Sequence, residues 1–303
     1  MGPPGTCWNE TVTTVRDTSS ARAPAATADG VAPIGIIGGT GLYSLLDGVE
    51  VVVQTPFGPP SAPVVTGQLG GEQVAFLPRH GRGHQFAPQD VPYRANLWAL
   101  RSCGVREVLA PSAVGSLRAD LLPGSAVVPD QVVDRTSGRR HTYLYPGGPV
   151  SHAEFADPYC PRGRAALVSA VARSPLPGAD GGTLVVINGP RFSSRAESRW
   201  HARQGFDVVG MTGMPEAALA RELALCYATV SIVTDLDAGV DEGGGVTHAE
   251  VVRRFAAAQD SLRGVLTAAV GELAARARRD PGEQQACPCA GVWDATEPPV
   301  TLP

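Results

Sequence analysis

The sequence predicts a single α/β domain built on a central mixed β-sheet with helices on both faces. Three observations point there. Short apolar, β-branched runs alternate with segments of helical periodicity across residues 31–280. Prolines and glycines punctuate those segments where helices start and stop. No internal repeat and no shift of composition marks a second domain. Residues 1–30, rich in Thr, Ala, Ser and Pro, read as a disordered extension, and residues 281–303 read the same way.

In chain order, the first strand at 33–37 runs into the glycine-rich turn Gly38-Gly39-Thr40-Gly41. Strands follow at 49–53, 63–68 and 73–77. A helix begins near Pro92, because the N–H that proline lacks has no partner in a first turn anyway, and Gly104 suits its end. Strands at 107–110 and 126–128 come next, then 138–150, which the run Tyr145-Pro146-Gly147-Gly148-Pro149 marks as an exposed loop. A helix begins near Arg162. A strand at 183–187 joins a further helix through 187–198, and a strand at 207–209 leads to a helix near Pro215. The strand at 228–234 is apolar and β-branched, and residues 241–245 form a loop able to act as a lid. The last helix begins near Ala249. There Val251, Phe255, Ala258, Leu262, Val265, Leu266, Ala269 and Leu273 recur at three- and four-residue spacing as a core-facing stripe.

Composition narrows the function class. Hydrophobic content of 43% with 18% charged residues is that of a globular protein. A net charge of −4 with no dense Lys/Arg block gives no footprint for nucleic acid. No apolar run approaches the roughly 18–20 residues of a membrane span, and residues 1–30 lack the apolar core of a signal peptide. Six scattered cysteines do not form a disulfide framework in a chain this long. Cys287-Pro288-Cys289 stands in a polar tail with no second ligand pair nearby, so no metal centre is expected. A reduced, cytoplasmic setting fits this chain.

The groups that carry chemistry stand at strand ends. The strand at 228–234 stops at Asp235-Leu236-Asp237, and alternation puts residues two apart on one face. Two carboxylates so close do not both ionise cheaply in a dry site, and the protonated one suits a proton donor to a leaving group. The alternative is a solvated strand-end turn. Gly38-Gly39-Thr40-Gly41 can offer backbone N–H groups to a phosphate, but it fails the dinucleotide fingerprint. Arg79-His80-Gly81-Arg82-Gly83-His84 supplies an arginine fork that matches phosphate oxygens, with Arg82 and His84 read as a solvated turn. Ser112 and Ala113 lie in a small-residue segment suited to an anion or a sugar edge. Phe192 can stack on a flat ring beside Ser193, and Met211-Thr212 can cover a sugar and bind an anion near a helix start. Together these describe an α/β enzyme that handles phosphate and a heterocycle.

These motifs, in this order, closely resemble the trimeric purine nucleoside phosphorylase family, and within it the methylthioadenosine phosphorylase branch. The resemblance covers residues 33–275 and rests on Gly38–Gly41, Thr55-Pro56-Phe57-Gly58, Arg79–Arg82, Gly115-Ser116-Leu117, Gly189–Glu197, Met211-Thr212 and Thr234–Asp237. It implies a nucleoside phosphorylase fold and phosphorolysis of a purine nucleoside, with orthophosphate as co-substrate and no cofactor or metal. Carried over position by position, it implies that Thr40, Arg79, His80, Ser112, Ala113 and Thr212 hold phosphate and Met211 contacts ribose. Phe192 and Ser193 flank the base, Asp235 meets N7 and Asp237 the exocyclic amine. His152 completes the 5′ pocket of a neighbouring subunit, which implies a homotrimer with shared sites.

Two positions depart from the branch. Ser112 replaces a threonine and keeps its hydroxyl. His248, with Val251 one turn on, stands where the branch has an apolar residue facing the 5′-methylthio group. An imidazole there suits a polar 5′ substituent, unless His248 is a helix-start residue facing water. The expected substrate is 5′-deoxy-5′-(methylthio)adenosine or another 5′-modified adenosine. The alternatives are a 6-oxopurine phosphorylase, for which Asn is expected at 235, and a non-catalytic nucleotide-binding module.

Overall fold

In the computed structural model of the protein, the described residues are 33–39, 42, 45–145, 147, 150–240, 245–293 and 301–303. The strands are β1 (Ile34–Gly38), β2 (Gly48–Val51), β3 (Val64–Leu69), β4 (Glu72–Pro78), β5 (Glu107–Ser116), β6 (Ala126–Val128), β7 (Gln131–Asp134), β8 (Gly178–Asp180), β9 (Thr183–Val186), β10 (Val208–Gly210) and β11 (Cys226–Leu236). The helices are α1 (Tyr93–Ser102), α2 (Pro161–Ala172), α3 (Arg195–Arg203), α4 (Gly213–Glu222) and α5 (His248–Arg279). The predicted mixed sheet is present, and all its described strands join one sheet. β7 and β8 were not expected. Both are short, and neither has a buried apolar run that would mark it in sequence.

β5 is the centre of the topology. It pairs parallel with β1 through Glu107–Leu109, and antiparallel with β10 at Gly115 and Ser116. Along its other edge it pairs parallel with β11 from end to end. The long second half of β5 was not expected as strand, because Pro111, Ser112 and Gly115 dilute its apolar character. That half is where β1 ends and β10 begins, so the sheet opens there and leaves room for a ligand.

Period-2 alternation splits the core in two. Ile37, Leu77 and Val108 pack on one face with Leu97 and Leu100 of α1 and Leu219 of α4. Ile36, Phe76 and Leu109 pack on the other with Leu167 of α2 and Leu262, Leu266 and Ala269 of α5. The expected α5 stripe is buried from Phe255 to Leu273. α3 begins with a capping box, in which Ser194 and Glu197 satisfy each other's backbone N–H groups.

Two segments differ from expectation. Within the loop at 138–150, Arg139 and Tyr143 are buried, while Tyr145 and Val150 are exposed. Tyr143 donates its hydroxyl to Arg94 O at 2.8 Å and packs edge-on against Phe57, so the loop is pinned by two side chains that Pro/Gly punctuation conceals. Residues 281–293, expected to be disordered, fold as successive turns on the domain. Buried Cys287 and Cys289 and the Trp293 indole, which donates to Glu222 O at 3.0 Å, anchor them despite a polar composition. The expectation that Cys287 and Cys289 have no second ligand pair nearby also fails. Cys160 and Cys226, remote in sequence, lie against them. Residues 1–30 and 241–244 lie outside the described residues.

Candidate active site

Residues at or just past the carboxyl ends of β1, β4, β9, β10 and β11, with the second half of β5, line one cavity of about 400 Å³. One side of it is built around Arg79, which follows β4 and is buried. Its Nε and Nη2 donate to Glu216 at 2.7 and 2.8 Å, Nη2 donates again to Ile37 O, and Nη1 donates to Pro111 O. Four of the five guanidinium N–H groups are thus used within the chain, and one on Nη1 remains for a ligand. Burial opposes the charge on Arg79, but Glu216 more than offsets it and holds the guanidinium ionised. The expected phosphate fork is therefore largely a structural ion pair that presents a single N–H.

His80 lies 2.8 Å through Nδ1 from Phe86 O. A carbonyl accepts only, so Nδ1 carries the proton and Nε2 is left as an acceptor. Burial, and then the charge of Arg79, push the imidazole down to about 4, so it is neutral at pH 7. His84 is exposed, as its reading as a solvated residue expects, but it also stacks on His80 with ring centroids 4.7 Å apart and lines the cavity. Arg82 does match that reading: it pairs at the surface with Glu50 at 2.6 Å. Ser112 and Ala113 of β5 and Thr212 complete this side, with Ser112 Oγ 3.0 Å from Ser231 Oγ. Thr40 lies outside the described residues.

The other side is the end of β11. The β5–β11 register slips between Val233 and Asp235, a bulge that turns the strand end toward the cavity. Asp235 and Asp237 both line it, as alternation predicts. Gly115 makes the fit possible, since a Cβ there would stand 2.8 Å from Asp235 Oδ1. Burial, and then the charge of Asp237, push the Asp235 carboxyl up to about 6, against the hydrogen bond from Thr234 Oγ1 at 2.7 Å. Burial also raises the Asp237 carboxyl, which is offset in part by the nearby Ser193 and Ser198 hydroxyls and by His201. Asp237 Oδ2 is buried and makes no hydrogen bond among the described residues.

Between these sides lie Phe192, Ser193 and Met211. Gly189, at φ +64°, allows the approach, because a Cβ would meet Met211 Sδ at 2.5 Å. Buried Arg139 fixes both loops, donating to Met211 O at 2.8 Å, Met214 O at 2.6 Å and Asn188 O at 2.8 Å. Nothing in the sequence marked this role, since a lone arginine in a Gly/Pro-rich loop reads as solvated. At the open end, His248, Val251 and Val252 at the start of α5 line the cavity near His84. His248 is also exposed, so it borders both ligand space and solvent. His152 is exposed and does not line the cavity of its own chain.

The chain matches the Phosphorylase superfamily over residues 33–271. It is 55% identical over 280 residues to a purine nucleoside phosphorylase of Streptomyces coelicolor, covering 90% of this chain and 98% of the relative. It is 61% identical over 225 residues to an S-methyl-5′-thioadenosine phosphorylase of Mycolicibacterium smegmatis, covering 73% and 84%. Among solved structures, a methylthioadenosine phosphorylase from an antarctic soil metagenomic library superposes with a TM-score of 0.79 at 39% identity, covering 88% and 92%. A mutant adenosine/methylthioadenosine phosphorylase of Schistosoma mansoni in complex with methylthioadenosine superposes with a TM-score of 0.74 at 38% identity, covering 84% and 97%. This chain belongs to the phosphorylase superfamily, in the family of purine nucleoside and methylthioadenosine phosphorylases.

Proposed function

We propose that the protein catalyses phosphorolysis of 5′-deoxy-5′-(methylthio)adenosine or a related 5′-modified adenosine, releasing adenine and the 5-substituted ribose 1-phosphate. The observation that carries this reading is the Asp235/Asp237 pair opposite the Arg79–His80 corner of one cavity. Cleavage builds oxocarbenium character on the sugar and negative charge on the base. Phosphate beside the sugar stabilises the first. Asp235, its carboxyl pushed up to about 6 by burial, donates a proton toward purine N7 and neutralises the second. The Thr234 hydroxyl donates to Asp235 Oδ2 at 2.7 Å, which leaves Oδ1 to carry that proton. Asp237 Oδ2 accepts from the 6-amino group. Phe192 and Ser193 flank the base, and Met211 covers the ribose.

Phosphate is bound by the remaining Arg79 N–H, the Ser112 and Thr212 hydroxyls, the Ala113 backbone and Thr40. Neutral His80 accepts the O–H of hydrogenphosphate at Nε2 rather than donating, because Nδ1–H is committed to Phe86 O. No organic cofactor or metal enters this step, since a purine protonated at N7 is already a good leaving group. His84, His248 and Val251 surround the 5′ substituent, with His152 of a neighbouring subunit of a homotrimer. The setting is cytoplasmic purine salvage.

A second reading, a 6-oxopurine phosphorylase, is favoured by the name of the Streptomyces coelicolor relative. The acceptor at Asp237 opposes it, because a 6-oxopurine presents an acceptor oxygen where adenine has a donor amine. The test is base release from methylthioadenosine, adenosine and inosine with and without orthophosphate. Adenine from methylthioadenosine, strictly dependent on phosphate, is expected. Inosine turnover above both adenosines overturns the adenine assignment, and no release from any of them establishes a non-catalytic binding protein.

A further inference from the structure

Outside the nucleoside cavity, the described residues hold one cluster of metal-ligating side chains. Cys160 precedes α2, Cys226 opens β11, and Cys287 and Cys289 come from the C-terminal turns. All four are buried, and their Sγ atoms lie within 4.8 Å of one another. Cys160 Sγ and Cys287 Sγ are 3.7 Å apart. Four sulfurs placed tetrahedrally about 2.3 Å from one zinc ion stand about 3.8 Å from each other. A disulfide would bring two of them to about 2.0 Å. The Cys160–Cys287 separation matches that of two ligands around a shared ion, and all four sulfurs are close enough to reach one.

The chemistry of the set agrees. Four thiols with no carboxylate or hydroxyl among them form a soft, closed donor set that selects zinc over magnesium or calcium. Four buried thiolates cannot coexist without a cation, and a divalent metal displaces their protons and removes that conflict. The scaffold around the cluster is already fixed. Cys160 N–H donates to Tyr227 O at 2.7 Å, which ties the first ligand to the residue after the second. Ala290 N–H donates to Cys287 O at 2.9 Å and closes the turn that carries the other two. Arg221 donates to Glu154 O and Asp157 O and holds the approach to Cys160. Arg162, just past Cys160, pairs with Glu107 at 3.0 Å and with Glu283 of the tail at 3.4 Å.

We propose that Cys160, Cys226, Cys287 and Cys289 form a structural tetrahedral zinc site that clamps the C-terminal segment onto the domain. The site is remote from the chemistry. Asp235 lies nine residues along β11 from Cys226, about 30 Å at the rise of a strand. The metal cross-links the start of α2, the start of β11 and a tail with few apolar anchors of its own, so it acts on stability rather than on turnover.

The test uses the full chain, purified under reductant without chelator, and needs no substrate. Elemental analysis is expected to give one zinc per chain, released when the thiols are blocked by a mercurial. Cobalt reconstitution of the chelator-stripped protein is expected to give the d–d and charge-transfer bands of tetrahedral tetrathiolate. The double variant Cys287→Ser/Cys289→Ser is expected to lose the metal and melt at lower temperature, with kcat unchanged well below that temperature. Two outcomes overturn the proposal. One is metal-poor protein whose intact mass shows the hydrogens lost to disulfides. The other is metal-poor protein with four free thiols and no change in Tm or cobalt spectrum on adding metal. Should the double variant fail to fold, the metal content and cobalt spectrum of the unsubstituted chain still decide.

Discussion

The two ends of β11 are built from opposite materials. At the carboxyl end, Asp235 and Asp237 come from one short segment and share an open cavity. At the amino end, Cys226 meets thiols from two other parts of the chain in a closed, dry cluster. The carboxylate end leaves Asp237 Oδ2 without a hydrogen bond among the described residues, as suits a ligand that comes and goes. The thiol end is complete within the chain, as suits a resident ion. One strand thus carries an exchange site and a fastening. The difference lies in whether the chain supplies a complete ligand set around one point or leaves an acceptor open in a cavity.

The largest effect expected from breaking the comparison is at the carboxylate end. Asp235→Ala should lower kcat by about 10²–10⁴, the usual size of a general-acid contribution, without loss of thermal stability, because the fold holds that carboxyl above its ordinary range. A near-normal rate in the base-release assay would remove Asp235 from the mechanism. Next is Glu216→Ala, which strands the buried Arg79 guanidinium. Urea unfolding should show a loss of about 3–5 kcal/mol, and a loss below about 0.5 kcal/mol, typical of a surface change, would show that Arg79 does not depend on this pair. The smallest is His248→Val at the open end. Replacing the imidazole by an apolar group should raise kcat/KM for methylthioadenosine relative to adenosine by several-fold, within the range of about 1–3 kcal/mol for one group in an apolar pocket. An unchanged ratio would place His248 in solvent.

Legibility in the sequence followed the same division. The alternation of apolar runs gave the mixed sheet and both helical faces, because Ile36 and Ile37, or Phe76 and Leu77, must serve opposite cores. The carboxylate end was legible because both acids sit in one segment whose period fixes their direction. The thiol end was not, because no local pattern joins Cys160 to Cys226 or either to Cys287 across the fold. Arg79 was legible as a residue of the site but not in its role. Its partner Glu216 lies on a different element, and only the fold shows that four donors are already spent. The burial of Arg139, and the cavity contact of exposed His84, were hidden by loop composition, which reports flexibility of the backbone and not what a side chain reaches.

The pH dependence of kcat/KM for methylthioadenosine, measured in the unsubstituted enzyme and in Asp235→Asn, tests the central claim most directly. Burial, and then the charge of Asp237, lift the Asp235 carboxyl to about 6, and the reaction needs its protonated form. The rate constant should therefore be fully developed below that pH and decline by about tenfold per unit above it, with the ionisation of orthophosphate acting in the opposite sense. In Asp235→Asn, which cannot titrate, the declining limb should vanish from a much lower profile. The same limb in both enzymes would contradict the assignment of Asp235 as the acid that releases the purine.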